Sequence, residues 1–399
     1  MKKIFLCFGV ALLLFFSIFS VNATETATEN GTESAESVSE NQSESSQTTS
    51  ENNEEREFIY DLSPIYNSLS DEVKESLNRL GAGSTDINEL SKITFSSVVE
   101  EIGKLGAKNI SSPLKGLVTI IALLLLCSTL SAYKNSLSSE VSGALNIAVT
   151  LCITCAVALP ATEVIKNTSQ IINIASNLMI AYVPIMALIM AYAGHPVKGA
   201  SYYTMMLATG EGVSQLSSKI IVPLLNMFLG FSLTSSISPD ISLDGFIKTI
   251  SNIIKSILGF GMTIFTSVLS IKQIITSSVD DVSARAVRFT LNSFIPIVGS
   301  ALSDAYKTVQ GSVGLLKSGV GVFVIISVGV VFLPVILQSL MWLTTLWLGK
   351  STAEVLGLSQ PAKLLENIST VFSTLLAILL CIMSIYIIST AIVLIAGRS

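Results

Sequence analysis

The residues best placed to do chemistry lie between Ser277 and Lys307. Asp280, Asp281, Arg285 and Arg288 fall close together, and Asp304 follows. Asp281 and Arg285 are four apart and Arg285 and Arg288 three apart, so a helix brings them to one face. The chemistry open to such a set is ion pairing, either in a solvated turn beside a membrane or across a packed interface. The segment runs on as Phe294-Ile-Pro296-Ile-Val-Gly299-Ser-Ala-Leu-Ser-Asp304-Ala. Pro296 and Gly299 interrupt a regular helix there, and the small residues permit close approach of another one. A broken half-helix beside charges is also how transporters build a substrate site.

Elsewhere the usual catalytic sets are missing, and an enzyme is not expected. His195 is the one histidine, which removes most zinc and histidine-base chemistry. No HExxH, no Walker A pattern and no serine with a plausible nearby histidine is found. Cys152-Ile-Thr-Cys155 has redox spacing but sits in an apolar run, without the βαβ context that motif needs. It reads instead as small residues packing inside a membrane helix. No cofactor or metal site emerges, and any energy must come from another protein. A net charge of −5 argues against nucleic acid, which needs a clustered basic surface.

These residues must be positioned by membrane helices. Of 399 residues, 50% are hydrophobic and only 13% charged, against roughly a quarter charged in soluble domains. Mean hydropathy is +0.68. The chain is therefore an all-α, polytopic helical membrane protein. A span needs about 20 apolar residues. Segments that qualify are 114–133, 141–160, 171–193, 220–238, 253–271, 320–348 and 370–396, with a short eighth at 289–303 that crosses or dips in and returns. The membrane domain thus covers 114–399 with seven or eight spans. His195-Pro196 reads as a turn. Glu211, flanked by Gly210 and Gly212 and followed by Gln215, Ser217 and Ser218, reads as part of an interfacial helix.

The N-terminal portion reads as three pieces. Residues 1–23 form a cleavable signal sequence, with Lys2 and Lys3 before an apolar run and Val21-Asn22-Ala23 at the cleavage site. Residues 24–57 are an acidic low-complexity tract that cannot offset its ordering entropy and is expected to be disordered. Residues 58–113 form an exported helical region. There, a helix is expected over 71–80, with Ser70 as N-cap and Gly81 past its end, and a second over 86–105. The signal places this region outside the cytoplasm and the connection 272–288 inside.

Asp280-Asp-Val-Ser-Ala-Arg285-Ala-Val-Arg288-Phe, followed by Ser293-Phe-Ile-Pro-Ile-Val-Gly299 and Leu302-Ser-Asp-Ala305, resembles the stage III sporulation protein AE family of endospore formers. The resemblance runs from about Phe58 to the end of the chain and includes the order of its parts. It implies a membrane component of a secretion-like channel joining mother cell and forespore, needed for late forespore development. The implied setting is the mother-cell membrane around the forespore. The implied partners are a cytoplasmic ATPase and ring-forming proteins encoded beside it, with further copies of the chain and membrane lipid. Asp280, Asp281, Arg285, Arg288, Pro296, Gly299 and Asp304 are then assembly or channel residues. A secondary transporter with a broken-helix site near Pro296 is the rival reading.

Overall fold

The structure is a computed structural model. It describes residues 63–81, 93, 97, 100–101, 103–105, 107, 110–132, 139–237, 244–294 and 299–395. At 63–64, 131–132, 139–147, 149, 235–237, 244, 273–294, 299–318, 392 and 395 the description covers the backbone alone. The expected signal sequence and acidic tract, and most of the helix expected over 86–105, lie outside it.

Every described element is helical. Two short helices, α1 (Ser63–Asn67) and α2 (Asp71–Arg79), precede α3 (Ser111–Ala132) and α4 (Ser139–Tyr192). Then come α5 (Pro196–Leu216), a π turn (Ser217–Ile221), α6 (Val222–Ile237), α7 (Asp244–Phe294), α8 (Gly299–Val355) and α9 (Ser359–Ile395). Among the described residues, six helical stretches are long and apolar enough to cross a membrane: Ser111–Leu130, Thr150–Tyr192, Pro196–Thr234, Gly245–Lys272, Gly319–Val355 and Ser359–Ala391. The chain is a multi-pass helical membrane protein, as its composition requires.

Helix boundaries follow local chemistry where glycine or proline is present. At the α4–α5 turn, Gly194 adopts φ 86°, His195 N–H donates back to Met190 at 2.9 Å, and Pro196 opens α5. The α8–α9 turn repeats the device with Gly357 at φ 70° and Leu358 N–H bonded to Ala353 at 2.9 Å. Both are glycine-closed helix ends in which the left-handed residue costs nothing. Gly81 ends the α2 region in the same way, whereas Ser70 precedes α2 without a side-chain cap bond.

Elsewhere the helices run on, through Pro160 and Pro184 in α4 and Pro334 in α8. The two spans expected at 141–160 and 171–193 are one continuous 54-residue helix. Buried Ala161, Val164, Ile165, Thr168, Ile172 and Ala175 recur at helical spacing through the polar stretch between them, so packing holds the helix across it. Likewise α7 and α8 reach 51 and 57 residues. At 1.5 Å per residue these are about 77–86 Å long, more than twice the ~30 Å of a bilayer core. The core is built on α8 and α9, whose Val324, Val328, Phe332, Leu346, Leu365, Phe372, Leu379 and Tyr386 are fully enclosed.

Candidate functional site

The charged set Asp280, Asp281, Arg285 and Arg288 lies on the last part of α7, and Gly299 and Asp304 open α8. Pro296 is outside the described residues. The backbone is helical throughout 280–288, which places positions 281, 285 and 288 within two turns on one side.

Neighbouring helices fix where this set sits. Ser251 and Thr374 share a buried 2.7 Å hydrogen bond, and Cys381 Sγ donates to the Leu258 carbonyl at 3.7 Å. Both pairs have the same sequence separation, so α7 runs parallel to α9 in one register. In contrast α8 runs antiparallel to α9. Trp342 stacks on Phe372 with ring centres 6.1 Å apart, and Gly321 abuts Leu394 at the other end of the pair. The end of α9 at Ile395 is therefore level with Lys272 of α7 and Val320 of α8. Beyond that level, 273–294 and 299–319 continue as helix, a hairpin overhanging α9 by about 30 Å. Of the segment expected at 289–303, residues 289–294 thus end α7 and 299–303 open α8, two antiparallel helices.

The N-terminal region meets the opposite end of α8. Thr345 Oγ1 donates to the Pro113 carbonyl at 3.3 Å, and Gly116 lies against the Trp342 ring. From Thr345 to Gly299 is about 69 Å along α8. Helix α2 packs on α8 and α1 on α4. Within this region Arg79 donates to the buried Glu101 carboxylate from Nε at 3.1 Å and from Nη2 at 2.7 Å. The hydrogen bond from Arg79 holds the Glu101 carboxyl below the usual range, against the opposing effect of burial. Glu101 raises the Arg79 guanidinium in return.

Polar contacts also pin the interior. Ser176 and Tyr386 share a buried 2.8 Å hydrogen bond, and Ser214 donates to Asn173 at 3.0 Å. Gly210 faces Ser176 and Ile180, where a Cβ would meet the Ile180 side chain at 3.5 Å and the Ser176 carbonyl oxygen at 3.9 Å, ordinary van der Waals contact. Glu211 is therefore level with Tyr386, well inside α9, and not at the interface its polar neighbours suggested. Cys152 and Cys155 are exposed on α4, not packed within the bundle. Among the described residues, the hydroxyls of Tyr182, Tyr202 and Ser217 and Nε1 of Trp342 are buried without a hydrogen-bond partner. No described cluster of three His, Cys, Asp or Glu side chains could hold a metal ion.

The family profile for stage III sporulation protein AE matches residues 84–397, from before α3 through the end of α9. The chain belongs to that family. The family is one of sporulation proteins. Stage III sporulation protein AE of Bacillus subtilis (strain 168) is 24% identical over 272 residues, which cover 67% of this chain and 66% of that protein. The match thus spans just under two thirds of the relative's length. No solved structure matches the chain. The family match contains the entire charged hairpin, Pro296 included.

Proposed function

We propose that this chain is the membrane component of a secretion-like channel between mother cell and forespore, required for late forespore development. It sits in the mother-cell membrane around the forespore, with its N-terminal region outside the cytoplasm. The observation that carries the reading is the separation of the two polar regions along α8. The N-terminal helices and the start of α3 lie at one end, and the charged α7–α8 hairpin overhangs α9 at the other. With the N-terminal region exported, the hairpin reaches about 30 Å past the apolar core on the cytoplasmic side. There it offers Asp280, Asp281, Arg285, Arg288 and Asp304 to a cytoplasmic ATPase or to a neighbouring copy. Ring-forming partners meet the exported end.

The test is spore yield together with membrane abundance and co-purification of the neighbouring operon proteins. Arg285→Ala and Arg288→Ala are expected to insert normally yet lose partners and spores. An interface that buries such an ion pair loses about 3–5 kcal/mol when one member goes, whereas a solvated pair loses at most about 1. Arg285→Lys restores only part, because lysine lacks the planar fork. Wild-type yield and co-purification in both alanine variants would reduce the cluster to a solvated turn.

A further inference from the structure

A second group of ionisable residues lies where the sequence shows only connections and apolar runs. Glu163, Lys166 and Lys219 are exposed, and Lys255 is half-exposed. Each lies within a helical stretch apolar enough to cross a membrane. None forms an ion pair with another described residue.

Their heights can be compared through the contacts already given. Lys255 lies between Ser251 and Leu258, so it is level with Ile378 of α9. The α4–α5 pair is antiparallel, fixed by Gly199 against Ala187, Gly210 against Ser176 and Ser214 on Asn173. That register sets Lys219 beside Asn167, next to Lys166 and one turn from Glu163. Ser176 on Tyr386 ties α4 to α9. The direction follows from the short connection 238–243: it reaches at most about 25 Å, so α6 must end near the start of α7. Hence α5 and α6 run opposite to α7, and α4 runs parallel to α9. All four residues then fall level with 373–378 of α9, a band about 8 Å high.

That band lies deep in the apolar layer. On α8 no charged residue occurs between Lys317 and Lys350, and on α9 none between Glu366 and Arg398. In the α8–α9 register both stretches are centred near Ile382. The band is about 6–13 Å from this centre, inside the ~15 Å half-thickness of a hydrocarbon core. An ionised side chain exposed at that depth faces protein or a water-filled cavity, not lipid. Helices α4, α5 and α7 pack in a row, α4 on α5 and α5 on α7. Exposed Gln170, Ser218 and Asn252 flank the four residues and extend the polar surface. Lys219 sits in the π turn, a local widening of the helix that is common at functional sites.

The geometry points to this α4–α5–α7 face as the wall of a water-filled passage through the membrane, completed by other chains and attracting anionic solutes. Three lysines outnumber two carboxylates, Glu163 and the exposed Glu211 two turns before Lys219 on α5, and a low-dielectric wall focuses that excess. The inference rests on the channel reading above and assigns the conducting surface.

The test is thiol accessibility in membranes of the sporulating cells, with the full chain, its partners present and native cysteines replaced by serine. Gln170→Cys, Ser218→Cys and Asn252→Cys are expected to react with charged, membrane-impermeant thiosulfonates. The anionic reagent should react several-fold faster than the cationic one. Ile257→Cys, exposed on a different face of α7, should react only with a lipid-soluble maleimide. Lys166→Gln, Lys219→Gln and Lys255→Gln together leave only carboxylate on the face and should make the cationic reagent the faster one. Reaction of all three polar positions with the lipid-soluble reagent alone would overturn the passage, and so would a faster cationic reagent with the lysines in place. If labelling follows the expected pattern but the hairpin variants still sporulate, the assembly role of the hairpin fails while the aqueous face stands.

Discussion

Arg79 grips Glu101 across 22 residues, and the carboxylate it holds is almost wholly enclosed. The pair ties the helix that packs on α8 to the segment leading into α3. The guanidinium lowers the Glu101 carboxyl, so folded Glu101 binds a proton less readily than unfolded glutamate. Its contribution is therefore fully present above the unfolded value of about 4.3 and is lost as pH falls through the lower folded value. Hydrogen exchange of 71–79, corrected for intrinsic rate, should show protection that is flat near neutrality and falls in acid below the ordinary glutamate range. Glu101→Gln should show weaker protection and little pH dependence. Equal acid sensitivity in the variant would remove Glu101 from the account.

The topology has a direct readout. Ser46→Cys, in the expected exported tract, should react with an impermeant thiol reagent in intact cells. Ser303→Cys, in the α7–α8 hairpin, should react only after the cytoplasm is opened. Labelling of both positions from the same side would invert one end of the molecule and sink the proposed orientation.

Gly199 permits the tightest backbone approach in the α4–α5 hairpin, since a Cβ there would stand 2.7 Å from the Ala187 carbonyl oxygen. Backbone cannot swing away as a side-chain tip can. Gly199→Ala should cost about 1–3 kcal/mol through overpacking. A lowered unfolding temperature in detergent checks it, with Gly212→Ala, where nothing lies within 4 Å, as the mild control.

The Ser176–Tyr386 bond sets the height of α4 on α9 and is expected to be modest in energy. Interhelical hydrogen bonds in membranes average about 0.6 kcal/mol, because the same groups also find partners in the unfolded, membrane-inserted chain. A double-mutant cycle of Ser176→Ala and Tyr386→Phe should give a coupling near that value. Coupling indistinguishable from zero would mean the pair marks the register without stabilising it.

Cys152 and Cys155 are free, exposed and without the setting of a redox pair. Replacing both with serine should leave spore yield at the wild-type level, in a strain where membrane abundance is also unchanged. A selective loss of yield would reopen thiol chemistry on α4.

How much of this was legible depended on which residues punctuate the chain. The turn at Gly194-His195-Pro196 was readable because glycine and proline leave the backbone little choice there. The class of fold was readable from hydropathy alone. The continuity of α4 was not, because a hydropathy window reports depth and treats Thr162–Gln170 as a surface connection. The contrary signal was present in the helical spacing of Ala161, Val164, Ile165 and Thr168, which only packing reveals as one buried stripe. Glu211 was misread for a related reason. Its serine and glutamine neighbours suggested an interface, whereas Gly210 beside it seats α5 on Ser176 deep in the bundle. The charged set near Arg285 was legible as a pattern, but its place on an overhang depends on the relative lengths of α7, α8 and α9.

The burial of α8 and α9 sets an order of events during synthesis. These two helices are made after the other described ones, yet they carry the enclosed side chains on which α3, α4, α6 and α7 rest. Until they emerge from the ribosome, the earlier helices have only one another to pack against, and Lys166, Lys219 and Lys255 must enter the bilayer without a finished core beside them. Insertion and folding are therefore separate stages for this chain. A nascent chain stopped after α7 would be membrane-integrated yet open, a natural substrate for membrane proteases. Mutations in α9 should accordingly deplete the protein from the membrane sooner than they alter what the mature protein does.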